Sequence, residues 1–182
     1  DGFQQVASPL ELQECRRLLL LCGSRMPEAL ENFSRLLKAA LYIKTNQPIA
    51  ILVATGSEPT LQDLELCLHN LGFSKKSLTD HQFGANSSWG MGFFQVFIGV
   101  GRFSEWATFA EIGLANAGTA TEQVVGLGTP CVSLPGKGPQ FKKSFAIRQS
   151  RLLGGSVIPC RNTSYLARHV EMLLENESLR IE

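Results

Sequence analysis

The chain has 182 residues, enough for one domain with a sizeable hydrophobic core. Hydrophobic residues make up 44% and charged residues 18%, with 17 Lys and Arg against 16 Asp and Glu. A net charge of +1 argues against a dedicated nucleic-acid binder, and no apolar run approaches the roughly 20 residues that a bilayer crossing needs.

In chain order, Asp1 to Leu10 is polar, contains Pro9 and reads as a linker. Asp1 to Glu14 lacks the positive region of a secretory leader, so a cytoplasmic protein is expected. Short β-branched or Leu-rich runs then alternate with stretches of helical period, the pattern of an α/β domain with a parallel sheet. Strands are expected near 17–22, 49–54, 94–100, 112–115, 130–134 and 155–159, each a near-continuous apolar run of the kind that helices cover on both faces. Pro27 suits a first helical turn, after which Leu30, Phe33, Leu37, Ala40 and Leu41 form one apolar face. Thr60 with Asp63 resembles a capping box for a helix carrying Leu61, Leu64, Leu68 and Leu71, which Gly72 closes. Residues 73–93, with Gly84, Asn86, Ser87, Ser88, Gly90 and Gly92, read as a long loop. Gln140 to Leu153 and Thr163 to Leu174 are the last two helices expected.

Five cysteines form no C-x-x-C pair and read as reduced thiols, most of them buried. His69, His81 and His169 lack metal-ligand spacing, so no metal or cofactor site is expected. An open α/β sheet binds ligands beyond the carboxyl ends of its strands, which directs attention to the loops there. After the 94–100 run the chain reads Gly99-Val100-Gly101-Arg102-Phe103-Ser104, so the third glycine of a dinucleotide fingerprint is missing. The P-loop pattern fails too, since Cys131 stands at its first glycine and Gly138 follows Lys137. No G-x-S-x-G nucleophile elbow occurs.

What remains is a set of small-residue turns. Gly23-Ser24-Arg25 after the first strand lets backbone amides approach an anion, and Arg25 can add a charge-assisted contact. Gly56 and Ser57 follow the second strand in the same way. Each is commonplace turn chemistry on its own. The strongest signal is Leu114-Ala115-Asn116-Ala117-Gly118-Thr119-Ala120-Thr121-Glu122-Gln123, then Gly126-Leu127-Gly128-Thr129-Pro130 and a strand Cys131 to Pro135. A tight turn there would present helix-N-terminal amides to a diphosphate, while side chains on the helix reach a ribose.

These motifs resemble the donor site of GT-B glycosyltransferases, especially bacterial lipid-A-disaccharide synthase and, more distantly, the peptidoglycan GlcNAc transferase. They also resemble the group called lipid-A-disaccharide-synthase-related bacterial proteins. Leu20-Leu21-Cys22-Gly23-Ser24-Arg25 is similar to the Leu-Pro-Gly-Ser-Arg opening of that domain, and Leu134 to Phe141 occupies the place of the loop approaching the donor sugar. The resemblance runs from about residue 17 to the end. It implies a single Rossmann-like domain with about six parallel strands and helices on both faces, the C-terminal half of a GT-B fold. Residues 1–16 would be interdomain hinge and lead-in, and 17–182 the donor-binding domain. It further implies Gly23, Ser24, Arg25, Gly56, Ser57, Gly118, Thr119, Ala120, Glu122, Gln123 and Gln140 as contacts to a UDP-sugar. The implied partners are that donor, an N-terminal acceptor-binding half absent from this chain and, by family, a lipid acceptor at the inner membrane. No catalytic residue is assigned, because in these families the other half supplies the base. The implied reaction is an inverting displacement, with this half neutralising the UDP leaving group.

Two other readings stay open. A UDP-GlcNAc 2-epimerase shares the two-half architecture but carries Glu-Glu where this chain has Glu122-Gln123. A non-catalytic nucleotide-sugar-binding module is the other. Counting back seven residues from Pro130, the family's ribose-binding glutamate falls on Gln123. Thr119-Ala120-Thr121-Glu122 fits a capping box, which would give Glu122 a structural task and leave Gln123 for the ribose.

Overall fold

The computed structural model describes residues 10–78, 82–116, 118–135 and 156–181. A short helix α1 (Leu10–Gln13) leads into β1 (Arg16–Leu21), α2 (Glu28–Ala40), β2 (Ile49–Thr55) and α3 (Leu61–Asn70). Next come β3 (Ser74–Lys76), β4 (Ser87–Met91), β5 (Phe94–Val100), α4 (Phe103–Trp106), β6 (Ile112–Ala115) and α5 (Thr119–Gly126). The described chain ends with β7 (Cys131–Ser133), β8 (Val157–Pro159), α6 (Thr163–Glu175) and α7 (Glu177–Ile181). The helix expected at Gln140 to Leu153 lies outside the described residues.

One eight-stranded sheet has the order β3-β4-β5-β2-β1-β6-β7-β8. The six strands expected from the apolar runs are all present and all parallel, and among themselves they follow the order 3-2-1-4-5-6. This is the doubly wound α/β arrangement. Side chains alternate across the strands. Leu18, Leu20, Ile49, Ile51 and Val53 enter the core beneath α2, α3 and α6. Leu19, Leu21, Ala50 and Leu52 enter a second core with Leu12, Trp106, Phe109 and Val124. Covered on both faces, these strands have to be apolar throughout.

Residues 73–93 do not form the long loop that their composition suggests. β3 pairs antiparallel with β4, and β4 antiparallel with β5, adding two strands to one edge of the sheet. Side chains distant in sequence hold them. Ser87 donates its hydroxyl to Glu65 of α3 (2.9 Å), Trp89 Nε1 donates to Ser87 Oγ (2.6 Å), and Lys75 Nζ lies 2.9 Å from the same Glu65 carboxylate. The preceding helix is bounded as its sequence predicts. Thr60 accepts the Asp63 amide, and Gly72 (φ +98°) and Phe73 send their amides back to His69 and Leu68 in a Schellman closure.

Gly99, read above against the dinucleotide pattern, has a packing role instead. A Cβ there would stand 2.4 Å from the Trp106 ring, so the indole fills the space over β5 that a side chain would need. Trp106 Nε1 donates to the Phe83 carbonyl (2.9 Å), which ties α4 to the segment before β4.

At the amino end of the sheet, Glu111 gathers three arginines. Arg16 donates to both of its carboxylate oxygens (3.0 and 3.1 Å), the Arg17 amide donates at 3.0 Å, and Arg180 of α7 lies 3.9 Å away. Burial works to raise the Glu111 carboxyl, but the Arg17 amide and the Arg16 guanidinium outweigh it and hold it below the ordinary carboxylate range. A depressed folded pKa contributes stability that is present above the unfolded carboxylate value and is lost as pH falls through the folded one. Glu111→Gln should therefore cost about 1.5–3 kcal/mol at pH 7, and that difference should shrink toward pH 3. Urea unfolding of both proteins at the two pH values checks this; an equal difference at both would contradict it.

Candidate functional site

The parallel order reverses between β1 and β6. β1 pairs with β2 on one side and β6 on the other, in register from Leu18↔Ile112 to Leu21↔Ala115. Connections that leave such a point toward opposite faces open a crevice at the carboxyl edge of a sheet, and here α2 packs in one core and α5 in the other. The loops after β1 and β6 meet there. Gly23 (φ +88°) adopts a left-handed conformation that few other residues accept, and its Cβ position lies 3.5 Å from the Asn116 carbonyl oxygen. The Asn116 amide also donates to the Leu21 carbonyl (2.8 Å), so the two turns singled out in the sequence start side by side.

The remaining candidates are spread along the same rim. Ser24 and Arg25 are exposed between β1 and α2. Gly118 is the N-cap of α5, followed by exposed Thr119 and half-buried Ala120. Glu122 and Gln123 are both exposed on α5. Gly56 and Ser57 are exposed beyond β2, on the side of β1 away from β6, where Thr55 Oγ1 donates to the Pro59 carbonyl (2.9 Å) to close their turn. The structure thus brings Gly23–Arg25 and Gly118–Ala120 to the switch point and leaves Gly56 and Ser57 one strand away. Gln140 lies outside the described residues.

One expectation is corrected. Thr119 is not the N-cap of α5, and no capping box joins it to Glu122. The helix begins one residue earlier, with Gly118 at the cap, so Thr119 is its first turn and the Glu122 amide bonds to the Gly118 carbonyl (3.3 Å). A first-turn threonine cannot take the extended backbone of an N-cap, and Glu122 loses the structural task that the pattern suggested.

The electrostatics differ between the two helix ends. α2 carries Glu28 and Glu31 in its first turn, which already complement its positive end. α5 has a single acid there, Glu122, so its first turn sets less negative charge against an anion than that of α2. Cys22 lies buried beneath the first loop, and burial pushes its thiol up to about 12, which makes it inert as a nucleophile at neutral pH. Burial likewise takes Cys131 and Cys160 to about 12. Among the described residues no group of three or more His, Cys, Asp or Glu side chains could hold a metal ion.

Sequence reasoning missed the side chains that frame this rim. Asn116, at the end of β6, is buried. Its Nδ2 donates to the Leu134 carbonyl (2.6 Å) and its Oδ1 accepts the Leu134 amide (3.0 Å). The side-chain amide acts like an added peptide unit, continuing the β6–β7 pairing beyond Leu114↔Val132. Asn116 Nδ2 also donates to Asn32 Oδ1, and Asn32 Nδ2 donates to the Cys22 carbonyl, both at 3.4 Å. Arg35, one turn along α2, donates to the carbonyls of Leu134 (3.5 Å) and Pro135 (2.9 Å). The available signal was Asn32 itself, a polar residue on the apolar face that also carries Ala29, Phe33 and Leu36. Beside it lies a cleft of about 330 Å³ lined by Glu31, Asn32, Ser34 and Arg35. Two larger clefts, about 530 and 550 Å³, are lined by none of the candidate residues; Arg16 and Pro48 place them at the amino edge. Their size does not outweigh the convergence of turns at the carboxyl edge.

Fold and rim together define a doubly wound α/β domain with two small-residue turns at its switch point. No family model and no curated protein matches the chain. Among solved structures, it is similar to a protein from Listeria monocytogenes assigned as a UDP-N-acetylglucosamine 2-epimerase, with a TM-score of 0.61 at 13% identity. That match covers 98% of this chain and 42% of the other, so the chain spans less than half of that structure. At this identity the likeness concerns the fold, which is a Rossmann-like α/β domain with a mostly parallel sheet.

Replacing Asn116 by aspartate would set a carboxylate oxygen against the Leu134 carbonyl at the position that now holds a 2.6 Å bond. Asn116→Asp should destabilise the chain by about 1–3 kcal/mol, the range for a buried polar group left unsatisfied. Chemical denaturation at pH 7 measures it, and a cost under ~0.5 kcal/mol would contradict the network.

Proposed function

We propose that this chain is the donor-binding half of a GT-B-type glycosyltransferase that uses a UDP-sugar, similar to lipid-A-disaccharide synthase. The observation that carries the reading is that the Gly23 turn and the turn opening at Asn116 leave adjacent, hydrogen-bonded strand ends at the switch point. In this reading the diphosphate sits over the opening residues of α5 with Arg25 at its flank, and Gln123 turns toward the ribose. Gly56, Ser57 and Gln140 would complete the donor site. A second half would bind the acceptor, a lipid by resemblance, and supply the catalytic base. The likeness to a structure of which this chain spans 42% supports a two-half architecture. The full protein would work in the cytoplasm at the inner membrane.

The second reading is a UDP-GlcNAc 2-epimerase half, favoured by the assignment of the Listeria monocytogenes protein. Glu122-Gln123 in place of the acidic pair weighs against it. Both readings share the UDP-sugar, so acceptor-dependent transfer by the completed enzyme separates them from each other.

Calorimetry with UDP, UDP-GlcNAc and NAD tests the shared part. UDP and UDP-GlcNAc should bind weakly, and at ~100 times the dissociation constant they should stabilise the chain by about 2.7 kcal/mol. Preference for NAD would overturn the reading. No glycosyl transfer should occur with this chain alone, because the acceptor must be held opposite the donor; robust turnover would sink the two-half architecture.

Glu122 and Gln123 give a finer test. Without a capping box, Glu122→Ala should change stability by less than ~0.5 kcal/mol, as for an ordinary surface site. Gln123→Ala should weaken UDP binding by about 0.5–1.5 kcal/mol, one hydrogen bond. Isothermal titration and thermal melts of both variants decide it, and the assignment fails if Glu122→Ala abolishes binding while Gln123→Ala matches the parent.

A further inference from the structure

We propose that Asn32, Asn116 and Arg35 are positioning residues, a bracket that ties the carboxyl ends of β1, β6 and β7 into one preformed unit. The identity of the ligand rests on the nucleotide reading above; the bracket itself rests on hydrogen bonds. A backbone carbonyl left unpaired beyond the last strand pair would meet a diphosphate as a like charge. The bracket occupies three such carbonyls. Asn32 donates to the Cys22 carbonyl, Asn116 and Arg35 to that of Leu134, and Arg35 to that of Pro135. A carbonyl that already accepts a side-chain donor is fixed in place and sets less negative charge against a neighbouring anion.

The geometry also couples the loops. Asn116 leaves β6 and pairs with Leu134 beyond β7, while its link to Asn32 reaches the end of β1 through α2. A displacement of any one loop therefore breaks bonds belonging to another. Arg35 is half-buried and lies on α2. Neither it nor Asn32 belongs to the turns that would contact the nucleotide, so their effect would pass through Leu134, Pro135 and Cys22.

The test uses the 182-residue chain with Arg35→Ala, Arg35→Lys and Asn32→Ala, followed by amide hydrogen exchange and by calorimetry with UDP. Arg35→Ala and Asn32→Ala should speed exchange across residues 113–116 and 131–134 at least tenfold, well beyond any change at the amides of Leu19 and Val53. UDP affinity should fall roughly tenfold in both alanine variants, with the melting temperature little changed in half-buried Arg35→Ala and lowered in Asn32→Ala, which leaves buried groups unpaired; Arg35→Lys should restore part of the affinity and of the exchange protection. Unchanged exchange in both alanine variants would overturn the bracket whatever UDP does. Faster exchange with unaltered UDP affinity would overturn its positioning role. A parent chain that binds no UDP would sink the nucleotide reading and leave the bracket to be judged on exchange alone.

Discussion

The pairing of β1 with β6 joins two halves of the chain that wind in opposite directions across the sheet. From β1 the chain moves outward through β2 to β5; from β6 it moves the other way through β7 to β8. The two connections that start at this pair, Cys22 to Pro27 and Asn116 to Gly118, diverge to opposite faces, since α2 packs in one core and α5 in the other. No helix can cover the gap between them. A crevice at the carboxyl edge is thus a geometric consequence of strand order, and each turn there is shaped to tolerate it. Gly23 accepts a left-handed backbone, and Gly118 opens α5 without a side chain.

The polar framework behind this crevice offsets a cost that the same topology creates. Strands buried on both faces end in peptide groups with no neighbour to pair with, and such groups are costly to leave unmet. Asn116 resolves part of this by acting as a peptide unit toward Leu134, and Arg35 reaches the last carbonyls before residue 136. At the opposite end of the sheet the same need is met by charge, through Glu111 and its arginines. The two ends therefore differ in kind. Among the described residues, ion pairs tie the amino edge, while the side-chain amides of Asn32 and Asn116 and the Arg35 guanidinium tie the carboxyl edge.

Much of this was legible in the sequence because burial on both faces forces strands into apolar runs. Leu18 to Leu21 and Ile49 to Val53 could be little else, and Thr60 with Gly72 marked both ends of α3. The hairpin at 73–93 was not legible. Ser87, Ser88 and Gly90 have poor strand propensity, and their pairing depends on Glu65 and Trp89, contacts no local pattern contains. The capping box at Thr119 misled for a related reason. The tetrapeptide fits the pattern, but Gly118 before it allows the helix to start one residue sooner. The turns of the candidate site were visible as small residues after strands. The Asn32–Asn116–Arg35 framework was not, since its partners lie 84, 18 and 100 residues apart in sequence.

The central claim is a matter of place: a nucleotide diphosphate binds where the β1 and β6 loops meet. Backbone amide shifts of the ¹⁵N-labelled chain, followed during titration with UDP, locate the ligand residue by residue. The account predicts saturable shifts confined to residues 22–25 and 116–123, with smaller ones at 56–57. Shifts centred instead on the amino-edge clefts, at Lys44 to Gln47 or Met91 to Phe94, would contradict it.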